Sequence, residues 1–184
     1  MKIVAFGASY SKNSINKKLA IYAASFFKKS EIEILDLNDY LLPLFTVDVE
    51  KEIGVPQAVK NFIAKLDEAD LLIISLAEHN GSYTAAFKNL FDWTSRFKMK
   101  MFEGKKMLLL STSPGPRGGL SALEAAMSRF PRHGAEIIGY FSLPKFDENF
   151  SAEEGISNTA IKQEFDYFIS TALQNMKYEN YAGI

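Results

Sequence analysis

The stretch Gly7-Ala8-Ser9-Tyr10-Ser11-Lys12-Asn13-Ser14-Ile15-Asn16 crowds hydroxyls and carboxamides between an apolar run and a helical pattern. A strand-to-helix turn of this kind offers backbone N–H groups and side-chain donors to a phosphate at a helix amino terminus. Ser9, Ser11, Ser14 and Asn16 are the candidate donors, with Ile15 in the first turn beside them. Plain capping by Asn13 or Ser14 is the competing reading, although one cap suffices for a helix and this loop holds several donors. There is no GxGxxG and no Walker lysine motif, which argues against dinucleotide and P-loop nucleotide sites.

A second stretch reads Ala77-Glu78-His79-Asn80-Gly81-Ser82. A flat heteroaromatic ring needs close backbone approach, an edge of donors and acceptors, and an apolar or π surface. Gly81 permits the approach, Asn80 and the local amides supply donors, and His79 offers a plane. Taken singly, each of these is an ordinary loop residue. As a metal site, Glu78 and His79 lack a visible third ligand. The third stretch, Ser113-Pro114-Gly115-Pro116-Arg117-Gly118-Gly119, is either a rigid turn or a run of backbone donors facing a ligand edge that gains negative charge. Arg117 reads as a solvated side chain or as a contact for an anionic cosubstrate.

Five apolar runs must position these loops: Ile3–Phe6, Ile32–Leu37, Ala69–Leu76, Lys106–Leu110 and Glu136–Tyr140. Helical periodicity covers Ser14–Lys28, about Pro56–Leu66, Tyr83–Arg96 and Leu120–Pro131, and a last helix ends near Met176. Irregular chain is expected through Pro43 and Gly54, and a polar segment over Asp147–Asn158. Strands each followed by a helix specify a parallel sheet with helices on both faces, an α/β three-layer sandwich. Such sheets bind ligands beyond the carboxyl ends of their strands, where strand order reverses. That rule selects the same three loops. No repeat or internal boundary is visible, so residues 1–184 read as a single domain.

Composition narrows the function. With 47% hydrophobic and 23% charged residues and a net charge of −1, the chain reads as globular, with no electrostatic reason to bind nucleic acid or an anionic membrane. The same balance separates it from strongly acidic electron carriers. It has no cysteine, which excludes disulfides, CxxC redox chemistry and thiolate nucleophiles, so a redox role requires a bound cofactor. The first apolar run is too short for a signal peptide and no later run approaches a membrane span, so a cytoplasmic location is expected. His79 and His133 are the only histidines, neither has an evident nucleophile partner, and no Gly-x-Ser-x-Gly elbow occurs.

At these loops the chain resembles the NAD(P)H-dependent FMN reductase family, which includes chromate, azo and quinone reductases on a flavodoxin-like fold. Ser9, Ser14 and Asn16 match its phosphate motif Gly-Ser-x-Arg-x-x-Ser-x-Asn, with Ala8 at the glycine and Ser11 at the arginine position. Its ring motif Pro-Glu-Tyr-Asn-x-Ser, then Leu-Lys-Asn and Asp-Trp, is matched by Ala77 to Ser82, Phe87-Lys88-Asn89 and Asp92-Trp93. Ser113, Gly115, Gly118 and Gly119 match its third loop.

The resemblance implies strand order 2-1-3-4-5 and bound FMN, with NAD(P)H as cosubstrate. It also implies ping-pong transfer to a small-molecule acceptor: flavin, quinone, azo compound or metal oxyanion. It places Glu78, His79, Asn80 and Gly81 at the ring, and Gly115, Gly118 and Gly119 by the pyrimidine edge, where reduced flavin carries its charge. A larger side chain at Gly118 is then expected to obstruct the ring and spare the fold. The flavin performs the chemistry, so no catalytic side chain is demanded, although His79 could donate a proton to a quinone. A homodimer or homotetramer is implied, with Trp93, Phe97 and Phe102 as interface or core. The rival is a non-enzymatic flavodoxin-like module, a shuttle or a protein that has lost FMN. The Ser11 and Ala77 departures keep the lost-cofactor version of that rival open, and the balanced charge opposes a shuttle.

Overall fold

Leu71-Leu72-Ile73-Ile74 is fully buried, which places this run in the middle of a sheet covered on both faces. A computed structural model describes residues 1–181, with side chains as far as Met176. The chain opens with β1 (Lys2–Ala8), α1 (Ile15–Ala24), β2 (Glu31–Ile34) and a 3-10 turn at Leu37–Tyr40. Next come α2 (Val47–Ile53), α3 (Gln57–Glu68), β3 (Leu71–Leu76) and a small hairpin of β4 (Glu78–His79) and β5 (Ser82–Tyr83). Then follow α4 (Ala85–Phe97), β6 (Lys105–Thr112), α5 (Leu120–Arg129), a 3-10 turn at Phe130–His133 and β7 (Ala135–Leu143). The described chain ends with α6 (Phe146–Asn149), the hairpin β8 (Phe150–Ser151) and β9 (Gly155–Ile156), and α7 (Thr159–Tyr181).

The main sheet runs β2-β1-β3-β6-β7 with every pair parallel. Counting only these long strands, that is the 2-1-3-4-5 order of the flavodoxin-like fold, as expected. Strand alternation divides the core. Val4, Phe6, Leu72, Ile74, Met107 and Leu109 pack with residues of α3, α4 and α5. Their neighbours Ile3, Ala5, Leu71, Ile73, Leu108 and Leu110 pack with α1 and α7. Each Leu or Ile fully withdrawn from water contributes about 1.5–3 kcal/mol, so this double-sided core supplies the driving force that fixes the register.

Several boundaries differ from the expectation, each for a local reason. β2 stops at Ile34 because the Asp36 carboxylate accepts from Asn38 N at 2.9 Å and turns the chain into the 3-10 segment. Part of the irregular stretch is the helix α2, started by Thr46, whose hydroxyl oxygen accepts from Val49 N at 3.0 Å. That helix buries none of its residues, so it carries no apolar period to read. Pro56 is the N-cap of α3, one place before its first helical residue. The Glu78–Ser82 loop is a two-residue hairpin, with Asn80 at φ 51 and Gly81 at φ 75 as its turn. The last helix continues to Tyr181.

Candidate active site

The carboxyl ends of β1, β3 and β6 bring the three loops around one cavity of about 290 Å³. The first loop contributes Ser9, Ser11, Asn13, Ser14, Ile15 and Asn16. Ala77, Glu78 and His79 line it from the second, and Thr112, Ser113 and Pro114 from the third.

At the first loop the chain folds by its own hydroxyls. Ser9 Oγ accepts from Ser11 N at 3.1 Å, and Ser14 Oγ, the N-cap of α1, accepts from Lys17 N at 3.1 Å. Each hydroxyl keeps its O–H to donate. The N–H groups of Ile15 and Asn16, first and second in the helix, have no intrahelical acceptor. The first turn of α1 holds no acidic residue, so the positive end of the helix dipole meets the cavity uncompensated. Lys17, the nearest cation within the helix, is committed to Asp36 at 2.6 Å. Lys12 at the loop tip is exposed. This donor set suits a phosphate. The side chain of Asn16, expected among the donors, is 2% exposed and turned onto the sheet, so what α1 offers here is main chain.

At the second loop, Glu78 bonds across to the third: its Oε2 accepts from Ala122 N in the first turn of α5 at 3.1 Å. Gly119, the N-cap of α5, has no side chain to do this, so Glu78 caps the helix from a neighbouring element. Thr84 ties the loop to β1 by donating to Ala8 O at 3.0 Å, while accepting from Phe87 N to start α4. His79 is exposed at the cavity mouth. Asn80 and Gly81 form the exposed hairpin tip and do not line the cavity.

The third loop is closed on itself. Gly118 N donates to Gly115 O at 3.2 Å, and Gly115 O also accepts from Lys145 N at 3.0 Å. Gly118 and Gly119 are buried, and neither lines the cavity. A Cβ on Gly118, at φ 58, would lie 2.5 Å from Ser142 Oγ and 2.8 Å from the Leu143 carbonyl. Gly118 therefore packs the loop onto β7, and the expectation that enlarging it spares the fold is overturned. Gly115 also lies outside the cavity lining, whereas Ser113 is in it.

Of the family-type pattern after the second loop, Lys88 pairs with Asp92 at 2.7 Å, one turn along α4. Asn89 and Trp93 hold the segment before α2: Asn89 Oδ1 accepts from Phe45 N at 2.8 Å, and Trp93 Nε1 donates to Pro43 O at 2.8 Å. Trp93 and Phe102 are core, while Phe97 is 46% exposed. Thr112 and Pro114 were not singled out from sequence. Their signal was position alone, flanking Ser113 where the fourth long strand ends.

Residues 1–148 match the model of the NADPH-dependent FMN reductase family. The chain belongs to that family. Its relatives include the NADPH:quinone oxidoreductase of Arabidopsis thaliana, 32% identical over 125 residues, covering 66% of this chain and 62% of that one. The NADH-dependent flavin reductase subunit 2 of Lactobacillus johnsonii is 28% identical over 161 residues, covering 81% and 84%. In fold, the flavoenzyme NAD(P)H:(acceptor) oxidoreductase FerB of Paracoccus denitrificans superposes with a TM-score of 0.70 at 21% identity, covering 94% and 97%. This FMN reductase homologue is thus an oxidoreductase of the FMN- and NAD(P)H-dependent kind. The residues present fit that cofactor: hydroxyls and free helix N–H groups for a phosphate, beside a loop pair for a ring. No helix among the described residues is long and apolar enough to cross a membrane.

Proposed function

We propose that this FMN reductase homologue reduces quinone- and flavin-type acceptors with NAD(P)H by a ping-pong mechanism at the three-loop cavity. The observation that carries the reading is the amino terminus of α1, with its free N–H groups and serine hydroxyls, opening into a cavity shared with the ring loops. Bound FMN would supply a two-electron relay. The chain's part is to hold the phosphate with Ser9, Ser11, Ser14 and the main chain of Ile15 and Asn16. Glu78 and Ser113 border the ring space, and the exposed mouth beside His79 gives one place for donor and acceptor in turn. Asn80 and Gly81 turn the second loop at its exposed tip, and Gly115, Gly118 and Gly119 shape the third loop outside the cavity lining. His79 delivers a proton to a quinone oxygen, an assignment that an unchanged pH–rate profile of His79→Gln would remove.

The active form we propose is a dimer. Leu41, Leu44, Val47, Ile53 and Phe97 are large apolar side chains left at least 46% exposed along the strap before α2, α2 itself and the end of α4.

Absorbance of the purified protein before and after anaerobic NADPH tests the reading. A flavin spectrum that bleaches, with parallel double-reciprocal lines for NADPH and a benzoquinone, is the expected result. Intersecting lines refute the ping-pong order, and a protein that neither binds FMN nor oxidises NAD(P)H refutes the function. Azo and chromate acceptors run beside the quinone rank the substrates.

A further inference from the structure

The rim of the sheet at the cavity is laced by side chains that reach from one element to the next. Thr84 of the second loop bonds the end of β1, Glu78 bonds the start of α5, and Thr112 Oγ donates to Leu143 O at 2.7 Å. Asn16 makes the largest share of these ties. Its Nδ2 donates to Thr112 O at 3.0 Å and its Oδ1 accepts from Thr112 N at 3.0 Å. The same Oδ1 accepts from Ser75 Oγ at 2.8 Å. One carboxamide thus pairs with both main-chain groups of Thr112, as a neighbouring strand would, and is braced by a serine that is itself fully buried. The pairing joins residues 96 apart in sequence.

The placement gives this tie its consequence. Asn16 is the second residue of α1, whose free N–H groups and capping serine form the phosphate end of the cavity. Thr112 is the last residue of β6, immediately before Ser113 at the ring end. A ligand with a phosphate at one end and a ring at the other must meet both at once, and its affinity depends on how firmly their spacing is held before it arrives. A buried amide bonded through both its oxygen and its nitrogen sets such a distance well, because breaking it strands polar groups without water.

We infer that the Asn16 side chain is a positioning group that fixes the phosphate-binding start of α1 against the ring-edge loop after β6, its carboxamide acting through Thr112 and Ser75 rather than by touching the phosphate that the main chain of α1 would hold. The inference rests on reading the cavity as the FMN site.

The test compares the parent with Asn16→Ala and Ser75→Ala in four measurements. FMN and the phosphate-free ring lumiflavin are titrated by fluorescence quenching. Inorganic phosphate is titrated against the Ile15 amide by NMR in the apoprotein. Amide exchange at Thr112 and thermal unfolding complete the set. Asn16→Ala is expected to weaken FMN at least about tenfold, with lumiflavin and inorganic phosphate each changed less than about threefold, and to speed exchange at Thr112. Ser75→Ala, which removes one bond and leaves Asn16 in place, should do the same more weakly. If Asn16→Ala does not fold, Ser75→Ala decides by the same pattern, FMN weakened more than either lumiflavin or inorganic phosphate with faster exchange at Thr112. Loss of phosphate and FMN affinity by one common factor would make Asn16 a phosphate ligand and overturn the inference. FMN affinity kept while the melting temperature falls would overturn it too, leaving a structural amide only. A parent that binds no FMN fails the flavin reading before any variant is made, whereas a parent that binds it beside unaffected variants fails the role of Asn16 alone.

Discussion

Replacing Gly118 by alanine should damage the fold far more than the same change one residue later. The two glycines are adjacent, both have positive φ, and both belong to the third loop. Holding an alanine at φ 58 costs about 1–2 kcal/mol for the left-handed backbone alone. At Gly118 the new Cβ also meets Ser142 Oγ at 2.5 Å and the Leu143 C and O atoms at 2.8 Å. The serine hydroxyl can rotate, but the Leu143 main chain is held in β7 and by Thr112, so relieving the overlap adds about 1–3 kcal/mol. The sum is about 2–5 kcal/mol, against a typical total stability of about 5–15 kcal/mol. At Gly119 the nearest atoms are Ser111 Cβ at 3.3 Å and Thr112 O at 3.4 Å, a tight contact but a far smaller overlap than at Gly118, so the cost stays close to that of the backbone. Urea unfolding reads the difference: with a slope of about 2 kcal/mol per molar, Gly118→Ala lowers the midpoint by about 1–2.5 M and Gly119→Ala by about 0.5–1 M. Equal midpoints for the two variants, or a Gly118→Ala protein as stable as the parent with weakened FMN binding, would refute the packing role argued for Gly118.

Two further expectations concern titratable groups. The Tyr83 hydroxyl is buried without a hydrogen-bond partner among the described residues, and burial pushes it up to about 12 from its ordinary 10.0. Stability should therefore fall as pH rises from 10.0 toward about 12, because only the unfolded state ionises there, and Tyr83→Phe should flatten that limb without destabilising the protein at neutral pH. Asp36 is held down from 3.8 to about 2, chiefly by Lys17 and then by Asn38. Its contribution is complete above pH 3.8 and disappears as pH falls through about 2, so Asp36→Asn should flatten the acid limb in that window. Both side chains of the pair are about one-third exposed, so the change will be modest, and unfolding midpoints measured against pH decide it.

The sheet was legible because its strands obey a simple rule. Leu71 to Ile74 must be covered on both sides, and an apolar run of that kind can be read without knowing its neighbours. The three loops were legible for a related reason, since the fold places every strand's carboxyl end on one rim. Side-chain direction was not legible. Asn16 looked like a donor to the cavity, yet its carboxamide pairs with Thr112, a partner that exists only once β6 lies beside β3. Gly118 looked like a ligand-facing glycine, yet its constraint comes from Leu143, also distant in sequence. The Asn80-Gly81 pair carried a strong local hairpin signal, and the structure shows it turning a two-residue hairpin outside the cavity lining. α2 left no trace because it packs no apolar face.

The strap before α2 gives the molecule an internal reporter. Trp93 is its one tryptophan, and its indole N–H reaches Pro43 O while Phe45 lies edge-on against the ring at 5.1 Å. The strap continues into a helix with no buried residue, tethered by the Arg96–Glu50 ion pair at 2.8 Å. With only the Asn89 and Trp93 hydrogen bonds on the strap among the described residues, and no buried residue in α2, this cover opens at lower cost than the sheet. Indole emission consequently reads a local event, the peeling of the strap, before it reads global collapse. Denaturation followed at that wavelength should run ahead of the curve followed by backbone ellipticity, and the gap between the two curves measures how loosely this cover is fastened.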